Sequence, residues 1–323
     1  MMFSSSIGQT EEPRQKLEAR VIKTLELSNL LPSDLLFSPD GNLLFCESYY
    51  GSFDPGTGKI QISMDRNNFI LDIKSGNNIA NLEEMSILCF SNENEVLFEN
   101  NGIRIWDYTE RKEKGEITNI DGSIYCTPDG KYAVTIINGE KAIVTDLVLK
   151  NQIGDFQIPQ INKSQVKYLF YGPDKLFMVC LRNKTLTLLD IIQNQQLASY
   201  DWNAEEIGKI AISSDYKYLA VSSGGVIYLL DIPGKSIISK IDWILGGINS
   251  LGFSRDSYVL GGCTSGNQVI LLDMKSKTET FISLGEHKGP IVSICFSPVE
   301  DIFITSSFDG TIKIWEYSYV EDI

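Results

Sequence analysis

The sequence predicts an all-β chain of seven repeated antiparallel sheets closed into a ring, and three observations carry that prediction. First, a two-residue marker ending in an acid recurs. It reads Leu71-Asp72, Trp106-Asp107, Thr145-Asp146, Leu189-Asp190, Leu230-Asp231, Leu272-Asp273 and Trp315-Glu316, at steps of 35, 39, 44, 41, 42 and 43 residues. Second, a turn signal recurs in phase with it: Ser38-Pro39-Asp40-Gly41, Ser91-Asn92-Glu93-Asn94, Thr127-Pro128-Asp129-Gly130, Gly172-Pro173-Asp174, Ser213-Ser214-Asp215, Ser254-Arg255-Asp256 and Ser297-Pro298. Two of these match a type I turn position by position. Third, the last unit has no room for another strand after Tyr317, while Val21–Leu27 is a strand with no unit of its own. Pairing the two would remove the strand edges that an open array exposes; the alternative is an independent strand that caps the first unit.

In chain order, residues 1–20 are polar and of mixed charge, and read as a flexible tail with one helical turn after Pro13. Val21–Leu27 follows as the spare strand. The first unit alone breaks the period. Between its second strand (42–47) and its third (68–73) lies an insertion, Tyr49–Arg66, where the other units need a few residues. Asp54-Pro55-Gly56 is a turn and Ile60, Ile62 and Met64 alternate, so the insertion reads as an extended hairpin. The last unit is the clearest. Val292, Ile294 and Phe296 alternate with Ser293 and Cys295, Ser297-Pro298 breaks the run, Ile302 and Ile304 begin a second strand, and Asp309-Gly310 turns into a third.

Within that last unit, Gly285-Glu286-His287, Ser297-Pro298, Phe308-Asp309-Gly310 and Ile314-Trp315-Glu316 fall at the spacing of a WD repeat, which the unit resembles. It departs from the pattern where Glu286 splits the Gly-His pair and where Trp-Glu replaces Trp-Asp. The resemblance implies a single seven-bladed β-propeller of four-stranded antiparallel blades over residues 21–323, its ring closed by strand 21–27 in the last blade. It also implies that His287 bonds Asp309 and reaches Trp315 through a strand hydroxyl, Thr305, with Ser307 on the same strand face as the alternative. It places the insertion on the face beside the channel mouth. In function it implies a non-catalytic scaffold whose loops on that face hold other proteins in a multi-subunit assembly, in the cytoplasm or the nucleus, with cytoplasm the first expectation.

Composition bounds the partners. The chain has 323 residues, 43% of them hydrophobic, and its 42 acids against 28 Lys plus Arg give a net charge of −14. Nucleic-acid affinity rests on neutralising phosphates, so direct binding of DNA or RNA is not expected, nor is an anionic membrane surface; basic protein segments are favoured. Arg111-Lys112 is the only adjacent basic pair, and acids flank it. No apolar run reaches the length of a membrane span, and the N-terminal residues lack the pattern of a signal peptide. The six cysteines, at 46, 89, 126, 180, 263 and 295, lack C-x-x-C spacing and read as small buried hydrophobes.

No phosphate loop, nucleophile elbow or zinc pair is present, and no cofactor or metal is expected. The competing class is a hydrolase or other enzyme with an acidic active site at the channel mouth. His287, the only histidine, would be its first candidate, but no nucleophile is independently marked. The candidate partner-binding residues are Tyr49, Tyr50, Phe53 and Arg66 of the insertion, with Trp202 and Trp243; the alternative for the insertion is that its aromatic rings pack down on a neighbouring unit. These two tryptophans occupy equivalent connections between units. Each either fills the gap left where a His network is missing or anchors a peptide as an exposed ring.

Overall fold

A computed structural model describes residues 15–321, except 84, 86, 91–94, 100–101, 111, 118–122, 128–130, 139–140, 158–165, 171–175, 192, 194, 205, 243–245 and 276–280. Among the described residues the chain forms seven antiparallel sheets, six of four strands and one of five. Blades 2 to 6 each use four strands consecutive in sequence, and blade 1 uses five, the extra one being Lys59–Arg66, which pairs with Leu43–Asp54 alone. Blade 7 is made of Ile291–Phe296, Ile302–Ser307 and Thr311–Glu321, with Gln15–Glu26 as its fourth strand. That pairing runs from Glu26 opposite Thr311 to Gln15 opposite Glu321, with one bulge between Val21 and Lys23. The strand therefore starts at Gln15 rather than Val21. Residues 15–20, expected in the tail after a helical turn, belong to the sheet, and residues 1–14 lie outside the described residues.

The ring is visible in the packing. Seven apolar clusters bridge successive blades. Phe45 of blade 1 meets Phe90 of blade 2, Leu97 meets Ile124 of blade 3, and Val144 meets Met178 of blade 4. Leu188 then meets Leu219 of blade 5, Leu229 meets Leu260 of blade 6, and Leu271 meets Phe303 of blade 7. Ile304 and Ile314 of blade 7 return to Leu44 and Phe69 of blade 1, and the circle closes. Because each sheet is covered on both faces, the second strands lose the alternation of a half-buried strand. Val259–Thr264 and Ile302–Ser307 are buried at every position. The fourth strands, at the outer wall, keep alternation, as in Ser236–Asp242.

Two recurring turns set the register, and each follows from side-chain chemistry. Between first and second strands, Ser38, Ser213 and Ser254 donate from Oγ to Asp40, Asp215 and Asp256 at 2.6, 2.7 and 2.6 Å. The same oxygens accept the amides of Leu43, Tyr218 and Val259, each at 2.9 Å, so a buried serine ties both ends of the turn. At the end of the third strand the recurring Asp accepts amides two or three residues on: Ser75 to Asp72 at 2.7 Å, Thr109 to Asp107 at 2.8 Å, Gln193 to Asp190 at 3.0 Å and Lys275 to Asp273 at 2.8 Å. Blade 7 has no such turn. There the strand continues to Glu321, and Glu316 takes Arg20 Nε and Nη2 at 3.1 and 2.8 Å. Trp-Glu replaces Trp-Asp where no turn needs capping.

Candidate functional site

In every blade the second-to-third connection and the entry to the next blade lie at the same end of the strands. At that end of blade 7, His287 lies in the entry and Asp309 in the turn between the second and third strands. His287 Nε2 is 2.8 Å from Thr305 Oγ1, and Trp315 Nε1 donates to the same oxygen at 2.8 Å. His287 Nδ1 is 3.2 Å from Asp309 Oδ2 and 3.1 Å from Thr311 Oγ1. An indole only donates, so Thr305 spends its own proton on Nε2, and the imidazole carries its proton on Nδ1. Ser307, the alternative relay, instead donates to the Gly289 carbonyl at 3.1 Å and accepts the Asp309 amide. The Trp315 ring is stacked on Phe303 at 5.5 Å and 8°.

The geometry leaves His287 no free nitrogen, and its side chain is 0% exposed. Proton transfer to a substrate would need a contact that the fold does not offer. None of the six cysteines forms a disulfide, and burial pushes the thiols of Cys180 and Cys263 up to about 11 and about 12. Among the described residues no group of three or more His, Cys, Asp or Glu is placed to hold a metal ion.

Asp309 is pushed up by burial but pulled down further by hydrogen bonds from His287, Thr311 and the Lys288 amide, and rests well below the usual carboxylate range. A carboxyl with a depressed folded pKa contributes stability that is complete above its unfolded value, about pH 4, and lost as pH falls below it. Asp309→Asn should therefore melt lower than the parent near neutral pH, with the gap narrowing as melts are repeated towards pH 3. A gap constant with pH would show that the charge on Asp309 does not matter.

The insertion is a continuation of blade 1. Its second strand runs unbroken over Leu43–Asp54 and turns back as Lys59–Arg66, which pairs with it. Asp54 closes the turn by accepting the Gly56 amide at 2.9 Å and the Thr57 hydroxyl at 2.6 Å, and Gly58 supplies the positive φ of 69°. The predicted contact residues fare differently. Tyr50 is 46% exposed. Tyr49 is half-buried beneath the Arg66 guanidinium, 5.5 Å from its ring, and Arg66 also pairs with Glu47 at 2.9 Å. Burial raises the Glu47 carboxyl and Arg66 only partly offsets it, so this pair knits the base of the hairpin. Phe53 is half-buried against blade 7: a Cβ on Gly289 would lie 3.1 Å from its ring and 3.1 Å from the Asp309 amide.

Of its two expected roles, Trp202 takes the packing one. It is 0% exposed, inside the cluster between blades 4 and 5 and 4.4 Å from the Tyr228 ring, so it is packing and not an exposed anchor. Trp243 lies outside the described residues. The apolar surface that sequence reasoning passed over is the returning strand: Ile60 is 37% exposed, Ile62 46% and Met64 90%. Their alternation was visible, and so was the absence of any blade partner for that strand.

The comparisons agree with this architecture. The family model described as WD domain, G-beta repeat, matches residues 278–316. Similar curated proteins include a U4/U6 small nuclear ribonucleoprotein PRP4-like protein of Arabidopsis thaliana, 35% identical over 69 residues, which are 21% of this chain and 12% of that protein. A U3 small nucleolar RNA-associated protein 15 homolog of Gallus gallus is 31% identical over 99 residues, 30% of this chain and 19% of the other. The Target of rapamycin complex subunit wat1 of Schizosaccharomyces pombe is 26% identical over 155 residues, 47% of this chain and 49% of the other. The matches thus span at most about half of these relatives' own length.

Proposed function

We propose, from the premise that the chain is a WD-repeat protein, that it is a non-catalytic scaffold holding other proteins in a multi-subunit assembly, with the 49–66 hairpin as its main contact. The observation that carries this reading is the exposed apolar side chains of Ile60, Ile62 and Met64, on an element the ring does not need. Exposed apolar side chains grouped on one protruding element mark interaction sites, and insertions in repeat folds map to the binding face. The fixed ring beneath them means that little ordering entropy is spent on association.

The names of the similar proteins, with ribonucleoprotein, RNA-associated and complex subunit among their words, support an assembly role. With a net charge of −14, we read any link to an RNA-containing particle as made through protein contacts. The words nuclear and nucleolar draw the placement inside the cell towards the nucleus, and the cytoplasmic expectation gains no support from them. The enzyme reading loses its best candidate, because both ring nitrogens of His287 are engaged.

The test is the double variant Ile62→Ser, Met64→Ser, compared with the parent in melting experiments and in affinity capture from the native source. Met64 is 90% exposed and Ile62 46%, so the melt should move by no more than about 1 kcal/mol for the pair. The principal captured protein should be lost. Its retention would sink the hairpin as the binding element.

A further inference from the structure

At the opposite end of the strands from the hairpin, blade 7 overruns. Because Thr311–Glu321 continues past the point where the other blades turn, it carries Tyr319 across to the turns of blade 6. The Tyr319 hydroxyl donates to Asp273 Oδ1 at 2.8 Å, with the Tyr258 carbonyl at 3.2 Å, and this fixes the ring. Burial, then the Asp273 hydrogen bond, hold the phenol protonated. Tyr258, 45% exposed in the first turn of blade 6, forms a second wall. Between the two rings sits the ammonium of Lys275, 3.9 Å from the Tyr319 centroid and 4.5 Å from that of Tyr258. Two carboxylates adjoin these residues: Asp273 Oδ1 also accepts the Lys275 amide at 2.8 Å, and Asp256 Oδ1 accepts the Tyr258 amide at 3.0 Å.

We propose that Tyr258, Tyr319 and Asp273 form a recognition site for a lysine ammonium, occupied in the isolated chain by Lys275 and open to a lysine on a partner when Lys275 leaves. Two aromatic faces supply the quadrupole that attracts a cation, and the carboxylates add a local negative field. One wall is held before binding by its own hydrogen bond, so the site is preorganised. Lys275 itself is exposed and on a flexible stem, and its departure breaks no core contact. Lys275 is therefore a tethered competitor, and any change that removes its charge would unmask the site. The inference rests on the chain being a protein-binding scaffold but not on the hairpin, which lies on the other face.

The experiment uses the full chain with its tyrosine rings isotopically labelled and a short peptide, acetyl-Gly-Ser-Lys-Ser-Gly-amide, against its norleucine counterpart. In Lys275→Ala, the lysine peptide should shift the Tyr258 and Tyr319 ring signals saturably, and the norleucine peptide should not. The parent should require about two- to fivefold more peptide, the factor an exposed cation–π contact carries. Tyr258→Ala in the Lys275→Ala background should abolish the response at Tyr319. No saturable shift in Lys275→Ala, an equal response to norleucine, or identical titrations of parent and Lys275→Ala would overturn the proposal. Loss of the captured partner in the hairpin variant would leave all these signals unchanged, which separates the two readings.

Discussion

Deleting residues 1–27 is expected to lower the Tm by more than about 10 °C or to leave the chain aggregated. The lost strand contributes Leu17, 4% exposed, to the cluster between blades 6 and 7, with Ala19 and Val21 packed against the same cluster. Leu25 and Leu27 pack against the cluster between blades 7 and 1. Burying such side chains is worth about 1.5–3 kcal/mol each when complete, and several here are partial, so the loss is about 5 kcal/mol. That is comparable with the whole stability of many domains, and each kcal/mol moves the melt of a chain this size by about 2–4 °C. Deletion would also bare the edge of Thr311–Glu321 along eleven residues, a template for pairing between chains. The surface pair Arg20–Glu316, 78% and 46% exposed, adds little by comparison. A synthetic peptide of residues 15–27 added in trans should restore part of the melt. An unchanged melt on deletion would show that the ring does not depend on its fourth strand in blade 7.

The blades were legible because turn chemistry is local. Ser-x-Asp between first and second strands and Asp at the end of the third are read from a few adjacent residues, and their hydrogen bonds close within the same turn. The start of the closing strand was not legible for the converse reason. In Gln15–Arg20 only Leu17 and Ala19 face inward, and one is small, so the period of two is masked by the charges between them. The pairing of Gln15–Arg20 with residues 316–321 is also non-local by almost the full length of the chain.

The site was legible in chemistry and less so in exposure. The resemblance to a WD repeat is what gathered His287, Thr305, Asp309 and Trp315; the structure holds them together, with partners on both nitrogens of a buried imidazole. Whether an aromatic ring points out or in depends on its neighbours in space. Trp202 fills the seam between blades 4 and 5, and Phe53 lies over Gly289, where an added Cβ would stand in tight contact with its ring at 3.1 Å. The clamp around Lys275 joins Tyr258, Asp273 and Tyr319, which no spacing rule connects. It exists because one strand runs on where six others turn.

Thr305→Val should be the most damaging single substitution in the hydrogen-bonded group. It keeps the β-branched shape but removes the one oxygen that accepts from Trp315 Nε1 and meets His287 Nε2, both inside the protein. Each group left without a partner costs about 1–3 kcal/mol, so the pair costs about 2–5 kcal/mol, a fall in Tm of roughly 5–15 °C. His287→Gln removes one of those partners and should cost about 1–3 kcal/mol. The double variant should cost less than the two singles combined, since the same group is broken in both. Thr305→Ser, which restores the hydroxyl, should recover most of the loss. Chemical denaturation read at the tryptophans measures all four. Capture of the partner by the folded fraction should be unaffected throughout, because none of these side chains reaches the exposed strand of the hairpin. Loss of partner binding at an unaltered melt would instead place His287 and Thr305 in the contact surface and refute their purely structural role.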